Sequence, residues 1–287
     1  MDTTKKPDWL IKAIQPVSGL PRQEAVSTPL SITQRIQALS SKGVASGKHA
    51  ALQVVFFCDT TGSMYSYFDR VRCSINQIVE RITQEGISAE FAVYGYKNHG
   101  KEEWIMNGLP FQHQAFTTDA ATILNMRMWK GGGGDGLCAV EDAFHHLNQT
   151  ISSHPIFFGA KRVAIVIGDM PPHGVIDSVT NCPYQYDYRQ EVRELHRHGF
   201  TFYSVFCCSE DVANLGYEEI PNYFRWLAKE TNGRYLDISD INSLIDLLLG
   251  ICMKEIRRLD SFIADLEKRR TLSPNTKRLL LALKAGS

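Results

Sequence analysis

Two short, strongly apolar runs constrain the fold of this chain more than any other sequence feature. They are Ala51–Cys58 (ALQVVFFC) and Arg162–Gly168 (RVAIVIG). Runs of this length, rich in branched and aromatic side chains, are typical of strands that are buried on both faces, as in parallel sheets. A clear amphipathic helix pattern, Met64–Glu85, follows the first run. Alternating strands and helices predict an α/β fold, a doubly wound and mostly parallel sheet that is flanked by helices.

The rest of the chain continues this alternation. The predicted strands are Glu90–Tyr96, Gln114–Thr118, Phe200–Cys207 and Arg234–Ile238, and the predicted helices are Asp119–Trp129, Leu137–Ile151, Tyr184–His198 and Pro221–Thr231. We expect three parts: an irregular N-terminal arm with a short helix (1–48), the α/β domain (49–253) and a helical C-terminal extension (254–287).

Composition restricts the class of protein. The 31 Lys and Arg residues balance 31 Asp and Glu residues, and a chain with zero net charge is not expected to bind nucleic acid. No apolar run approaches the ~18 residues of a membrane span, and the N-terminus does not resemble a secretory signal. The seven cysteines are scattered, without a C-x-x-C pair, as is typical of free thiols in a reducing compartment. We therefore expect a cytoplasmic protein without a membrane span.

Acidic and hydroxyl side chains follow the two apolar runs. Asp59 ends the first run, with Thr61 and Ser63 at the next alternate positions, and Asp169 follows the second run. The glycine-rich loop GGGGDG adds Asp135 just before a predicted helix. Because parallel strands end at the same edge of a sheet, we expect these oxygen donors to converge. A set of oxygen ligands predicts Mg²⁺, with Mn²⁺ or Ca²⁺ as alternatives.

The order of these motifs resembles that of a von Willebrand factor type A (VWA) domain with a metal-ion-dependent adhesion site (MIDAS). The family's first motif, D-x-S-x-S, maps onto Asp59, Thr61 and Ser63 with one Ser-to-Thr change, and its third motif maps onto Asp169. The resemblance covers residues 50–255. It is strongest to intracellular VWA domains found with alpha-kinases and in bacterial multi-component systems, which carry runs similar to YKNHG, GGGGD and PPHG.

This resemblance implies a non-enzymatic scaffold or adaptor inside a larger assembly. The partner would be an effector such as a kinase, a protease or an ATPase, and one of its carboxylates would complete the metal's ligand shell. Two departures from the family pattern bear on the site. The second family motif supplies a Thr where this chain has Gly134-Asp135, so either Asp135 replaces that ligand or Thr117 or Thr118 reaches in. Asn98 also stands where related sequences carry an acidic residue.

Two histidines near the predicted metal edge are candidates for ligand contact. His173 lies in the loop after Asp169, and we predict that it contacts the partner. His99 follows the second predicted strand.

The C-terminal extension carries an apolar repeat at spacings of three and four. It includes Ile256, Leu259 and Ile263, and such a repeat predicts a seam between helices. We predict that these residues bind a partner or a second copy of the chain.

Two other functions stay open from the sequence. A Mg²⁺-dependent phosphatase of the haloacid-dehalogenase type also has an Asp at a strand end, but its D-x-D-x-T motif needs a second Asp where this chain has Thr61. The other alternative is a degenerate VWA domain that assembles through its C-terminal helices, in which Asp59 merely caps the following helix.

Overall fold

The computed structural model of the protein describes residues 52–84, 86–100, 108–132, 137–153, 160–176, 182–208, 210–237 and 244–284. The predicted N-terminal arm (1–48) and Asp135 lie outside the described residues.

In the described part of the chain, six strands form one sheet. They are β1 (Leu52–Asp59), β2 (Ala89–Tyr96), β3 (Phe111–Thr117), β4 (Lys161–Gly168), β5 (Phe200–Phe206) and β6 (Arg234–Asp237). Their order across the sheet is β3-β2-β1-β4-β5-β6. Every neighbouring pair is parallel except β2 and β3, which are antiparallel. The predicted mostly parallel sheet is confirmed.

Helices cover both faces of this sheet. They are α1 (Tyr65–Gln84), α2 (Ala120–Asn125), α3 (Val140–Ser153), α4 (Tyr188–Arg197), α5 (Glu210–Leu215), α6 (Glu219–Glu230), α7 (Leu244–Glu255), α8 (Leu259–Lys268) and α9 (Pro274–Lys284). Helix α2 is shorter than predicted because Met126 has an extended backbone that ends it. Its predicted cap is present, since Asp119 Oδ1 accepts a hydrogen bond from the Ala121 amide at 3.0 Å.

The core lies in two layers, one on each side of the sheet. Alternation along β1 sends Val54 and Phe56 to the layer that contains α1, α2 and α7–α9, and Val55 and Phe57 to the layer that contains α3–α6. Burying each such side chain is worth about 1.5–3 kcal/mol relative to its exposure to water. The strands are apolar at successive positions because both of their faces are covered, and the doubly wound architecture is confirmed.

The C-terminal repeat is divided between two helices rather than one continuous helix. Helix α7 ends at Glu255, Arg257 adopts a left-handed φ of 59°, and α8 starts at Leu259. This turn folds the apolar stripe back over the domain. Leu259 and Ile263 are buried in the layer that contains α1 and α7, and Ile256 packs against it. Their predicted role in binding a separate partner stays a prediction, and it would require these helices to leave the core.

None of the helices in the described residues is long and apolar enough to cross a membrane.

Candidate metal site at the carboxyl edge of the sheet

The ends of β1 and β4 place two aspartates side by side. The strands are neighbours in parallel register, with Cys58 opposite Ile167. Asp59 is the last residue of β1 and Asp169 follows β4 by one residue, so both lie at the same edge of the sheet. Asp59 is 2% exposed and Asp169 is fully buried. Two carboxylates that are buried together repel each other unless a cation or a proton compensates them.

Hydroxyl groups join these two carboxylates. Asp59 Oδ1 accepts hydrogen bonds from the Thr61 amide at 2.8 Å and from the Thr61 hydroxyl at 2.6 Å. The hydroxyl oxygens of Thr61 and Ser63 are 3.2 Å apart, and Ser63 donates to Asp169 Oδ1 at 3.1 Å. The structure thus brings together four of the five predicted metal ligands in one unbroken line of oxygens. Their role as ligands stays a prediction.

The spacing and chemistry of these oxygens fit a divalent cation. Mg²⁺ binds oxygen ligands at ~2.0–2.1 Å in an octahedron, which places adjacent ligands ~3 Å apart. The three oxygen–oxygen separations along the line are 2.6, 3.2 and 3.1 Å. The four residues offer only carboxylate and hydroxyl oxygens, the donors that hard cations prefer.

Cys138 is a neighbour of Asp59 that the sequence motif did not indicate. Its thiol donates to Asp59 Oδ2 at 3.0 Å. Burial raises the pKa of Asp59, whereas hydrogen bonds from Cys138 and Thr61 and the charge of Lys97 lower it. Burial, together with nearby Asp59, also raises the pKa of the Cys138 thiol, which therefore stays protonated and able to donate.

A buried lysine joins the loop after β1 to the glycine-rich loop. Lys97 is 2% exposed. Its ammonium group donates to the Thr60 carbonyl at 2.8 Å and also to the Gly131 carbonyl. Backbone hydrogen bonds from Gly131 to Thr60 (3.0 Å) and from Gly62 to Gly132 (2.7 Å) reinforce this contact. Gly131 and Gly132 both have a φ of 86°, a conformation that favours glycine.

Thr117 does not reach the site, so that alternative for the second-motif ligand is wrong. Because β3 runs antiparallel to β2, Thr117 pairs with Phe91 near the start of β2, whereas the site lies beyond the end of β2 at Tyr96. The Thr117 hydroxyl instead accepts a hydrogen bond from the Asp119 amide at 3.0 Å. Thr118 follows Thr117 at this same end of β3.

The two predicted histidines lie inside the domain, close to each other. The His99 and His173 ring centroids are 5.0 Å apart. His173 is 5% exposed, and its Nδ1 lies 2.5 Å from Glu141 Oε1. His173 also lines a cavity of about 580 Å³ that includes Cys182, Tyr186 and residues at the start of α4. This cavity gives a partner a route to His173, and the predicted contact of His173 with a partner stays a prediction.

Together, the doubly wound sheet and the oxygens at its carboxyl edge define a Rossmann-like α/β domain with a candidate cation site. The family model of the von Willebrand factor type A domain matches residues 53–248. The chain therefore belongs to the VWA family, whose domains commonly mediate protein–protein interactions. A search of curated proteins found no significant match.

Solved structures with a similar fold come from several bacteria. The pilus adhesin SpaC from Lactobacillus rhamnosus GG, in its open conformation, has a TM-score of 0.51 and 10% identity over 75% of this chain and 31% of the adhesin. The conserved hypothetical protein BatB from Bacteroides thetaiotaomicron has a TM-score of 0.46 and 15% identity over 73% of this chain and 99% of BatB. A von Willebrand factor type A protein from Catenulispora acidiphila has a TM-score of 0.44 and 15% identity over 72% of this chain and 43% of that protein. The chain spans about a third of the adhesin's length, and likeness at these identities concerns the fold alone.

Proposed function

We propose that this chain is a divalent-metal-dependent protein-binding module, acting without catalysis as a scaffold or adaptor in an intracellular assembly. The observation that carries the proposal is the unbroken line of oxygens from Asp59 through Thr61 and Ser63 to Asp169. In this proposal the four residues hold Mg²⁺, Mn²⁺ or Ca²⁺, and Asp135 supplies a further oxygen. The partner is an effector such as a kinase, a protease or an ATPase.

The donor set leaves the ion with open ligand positions. Two carboxylates balance the divalent charge, but together with two hydroxyls they do not fill an octahedral shell, so water or a partner's Asp or Glu can still bind the ion directly. A partner carboxylate at such a position would form a direct bond to the ion. Binding would then require both the metal and that acidic residue.

The surface beside the site suits protein recognition. Tyr65 begins α1 just after Ser63 and is 62% exposed, and Trp129 precedes the glycine-rich loop and is 53% exposed. Lys130 follows Trp129 in the chain, and its ammonium group lies 4.6 Å from the centre of the Tyr65 ring and 3.1 Å from Asp69 Oδ2. Exposed aromatic side chains are typical of the residues that contribute most to protein interfaces.

The test measures metal binding and partner capture in the same variants. Calorimetric titration of the full chain with Mg²⁺ and Mn²⁺ should give a binding heat that Asp59→Ala abolishes. Affinity capture from a cell lysate, with and without EDTA, should yield proteins that are lost both with EDTA and with Asp59→Ala. The matched control is Asp260→Ala, because Asp260 is an acidic residue of α8 whose side chain is 75% exposed and pairs with Lys284. No binding heat with either metal, or capture that EDTA leaves unchanged, would contradict the proposal.

A further inference from the structure

A second cluster of potential metal ligands is made of residues other than those of the Asp59 site. It is formed by His99 after β2, Glu141 and Asp142 in the first turn of α3, and Cys182 before α4. One ligand atom from each of the four lies within 4.8 Å of all the others. The side chains of His99 and Asp142 are 9% and 4% exposed, and Glu141 and Cys182 are buried.

The separations among His99, Asp142 and Cys182 are close to those in a tetrahedral metal site. Zinc binds nitrogen and oxygen at ~2.0–2.2 Å and sulfur at ~2.3 Å, so its ligands are ~3.3–3.6 Å apart. Here His99 Nε2 is 3.1 Å from Asp142 Oδ2. Cys182 Sγ is 3.6 Å from that oxygen and 3.8 Å from His99 Nε2. Glu141 places a carboxylate oxygen within 4.8 Å of these three atoms.

An unpaired oxygen in the same cluster is a second observation that points to a ligand. Glu141 is fully buried, and its Oε2 has no hydrogen-bond partner among the residues that the structure describes. A buried carboxylate oxygen without a partner is costly, and a metal ion would satisfy it. The other oxygen, Oε1, lies 2.5 Å from His173 Nδ1. Such an outer hydrogen bond commonly orients a carboxylate that binds metal.

The geometry points to a structural zinc-type site formed by His99, Glu141, Asp142 and Cys182, separate from the proposed Mg²⁺ site. Its mixture of sulfur, nitrogen and oxygen donors selects a borderline ion such as Zn²⁺ over the hard cations that suit Asp59 and Asp169. On binding, the Cys182 thiol forms a bond to the metal and releases its proton to the buffer. Four protein ligands leave no position open, which is typical of structural zinc sites. The ion would connect the loop after β2, the start of α3 and the loop before α4.

Cobalt provides a direct probe of this site, because Co²⁺ adopts the geometry of zinc and absorbs in the near ultraviolet when it binds a thiolate. The exposed cysteines Cys73 and Cys208 are replaced by serine in the full chain to remove adventitious thiols. Titrating this metal-free protein with Co²⁺ should produce a thiolate absorption band that stops growing at one equivalent of Co²⁺. Adding one equivalent of Zn²⁺ should then abolish the band. Metal analysis of protein expressed with zinc should also give about one Zn²⁺ per chain.

Variants assign the signal to the cluster. Cys182→Ala should remove the thiolate band, and His99→Ala should weaken Co²⁺ binding at least tenfold. Asp59→Ala should leave the band unchanged, so failure of the Mg²⁺ proposal and failure of this proposal are distinguishable. A folded parent protein that gives no thiolate band and carries no zinc would overturn the proposal, even if the Cys182 variant fails to fold. A band that persists in Cys182→Ala would overturn it as well.

Discussion

The packing of α9 against α7 makes the Leu280 side chain far more important to stability than the neighbouring Leu281 side chain. Leu280 is fully buried, whereas Leu281 is 45% exposed. A Cβ atom placed on Gly250 of α7 would lie 2.2 Å from Leu280 Cδ2, so Leu280 packs directly on the glycine backbone. Gly250 has no side chain that could move into the space left by a truncated Leu280.

This contact allows the cost of Leu280→Ala to be worked out. Losing three buried carbon groups costs ~2.4 kcal/mol at ~0.8 kcal/mol each. An unfilled cavity raises the total to about 4 kcal/mol, within the range measured for Leu-to-Ala changes in cores. For a domain of this size, that lowers the melting temperature by roughly 8–16 °C. Leu281→Ala should cost under about 0.5 kcal/mol.

Thermal and urea unfolding of the full chain, followed by circular dichroism, measures both variants. Gly250→Ala adds a crossed test. Helix propensity alone predicts that it stabilises α7 by about 1 kcal/mol, whereas the contact with Leu280 predicts destabilisation. Combined with Leu280→Ala, the new methyl should occupy part of the cavity, so the double variant should be more stable than the sum of the two single changes predicts. Equal losses of unfolding free energy in Leu280→Ala and Leu281→Ala would refute this account of the C-terminal helices. A Gly250→Ala variant more stable than the wild type would refute it as well.

Two further predictions concern the site and the sheet edge. A Cβ on Gly168 would lie 2.7 Å from the Tyr96 hydroxyl and 3.1 Å from Asp59 Cβ, so Gly168→Ala should lower the unfolding free energy by about 1–3 kcal/mol. Adding Tyr96→Phe to this variant should recover part of the loss. If it recovers none, the strain does not come from the Tyr96 hydroxyl. The His113 and His146 rings are 4.4 Å apart, and burial lowers the pKa of both. The stability that these neutral rings contribute is therefore complete above their ordinary pKa near 6.5 and is lost as the pH falls through their lowered pKa values. Between pH 7.5 and 5, His113→Gln should lose less unfolding free energy than the wild type. Parallel pH profiles for the two proteins would show that this histidine pair does not cause the loss of stability in acid.

The sequence predicted best the strands in which successive residues are all buried and apolar. Strands β1 and β4 lie within one residue of the apolar runs because both of their faces are covered. Strand direction was not predictable for β3, since side-chain alternation is the same in parallel and antiparallel strands. The short helix α5 was missed because its six residues are too few to show a helical period. The turn at Arg257 was missed because the three-and-four spacing continues across it.

The site was predictable only where its residues are close in sequence or follow strands. Asp59, Thr61 and Ser63 form a local motif, and a parallel sheet necessarily brings a residue after β4 near them. The Cys138 contact with Asp59 joins residues 79 positions apart. The contact between Cys182 and His99 joins residues 83 positions apart. No local spacing encodes such pairs, because side-chain packing in the folded chain decides them.

Lys97 has a consequence for how readily the loop after β1 accepts an ion. Its ammonium group is a monovalent cation that the chain itself supplies, and it holds the Thr60 and Gly131 carbonyls together without any dissolved metal. The loop's conformational entropy is therefore already lost when the chain folds rather than when an ion arrives. Lys97→Met would keep the two backbone hydrogen bonds between these loops but would remove the bridge between their carbonyls. More of the ordering would then have to accompany each binding event, and the free energy of ion binding would fall accordingly.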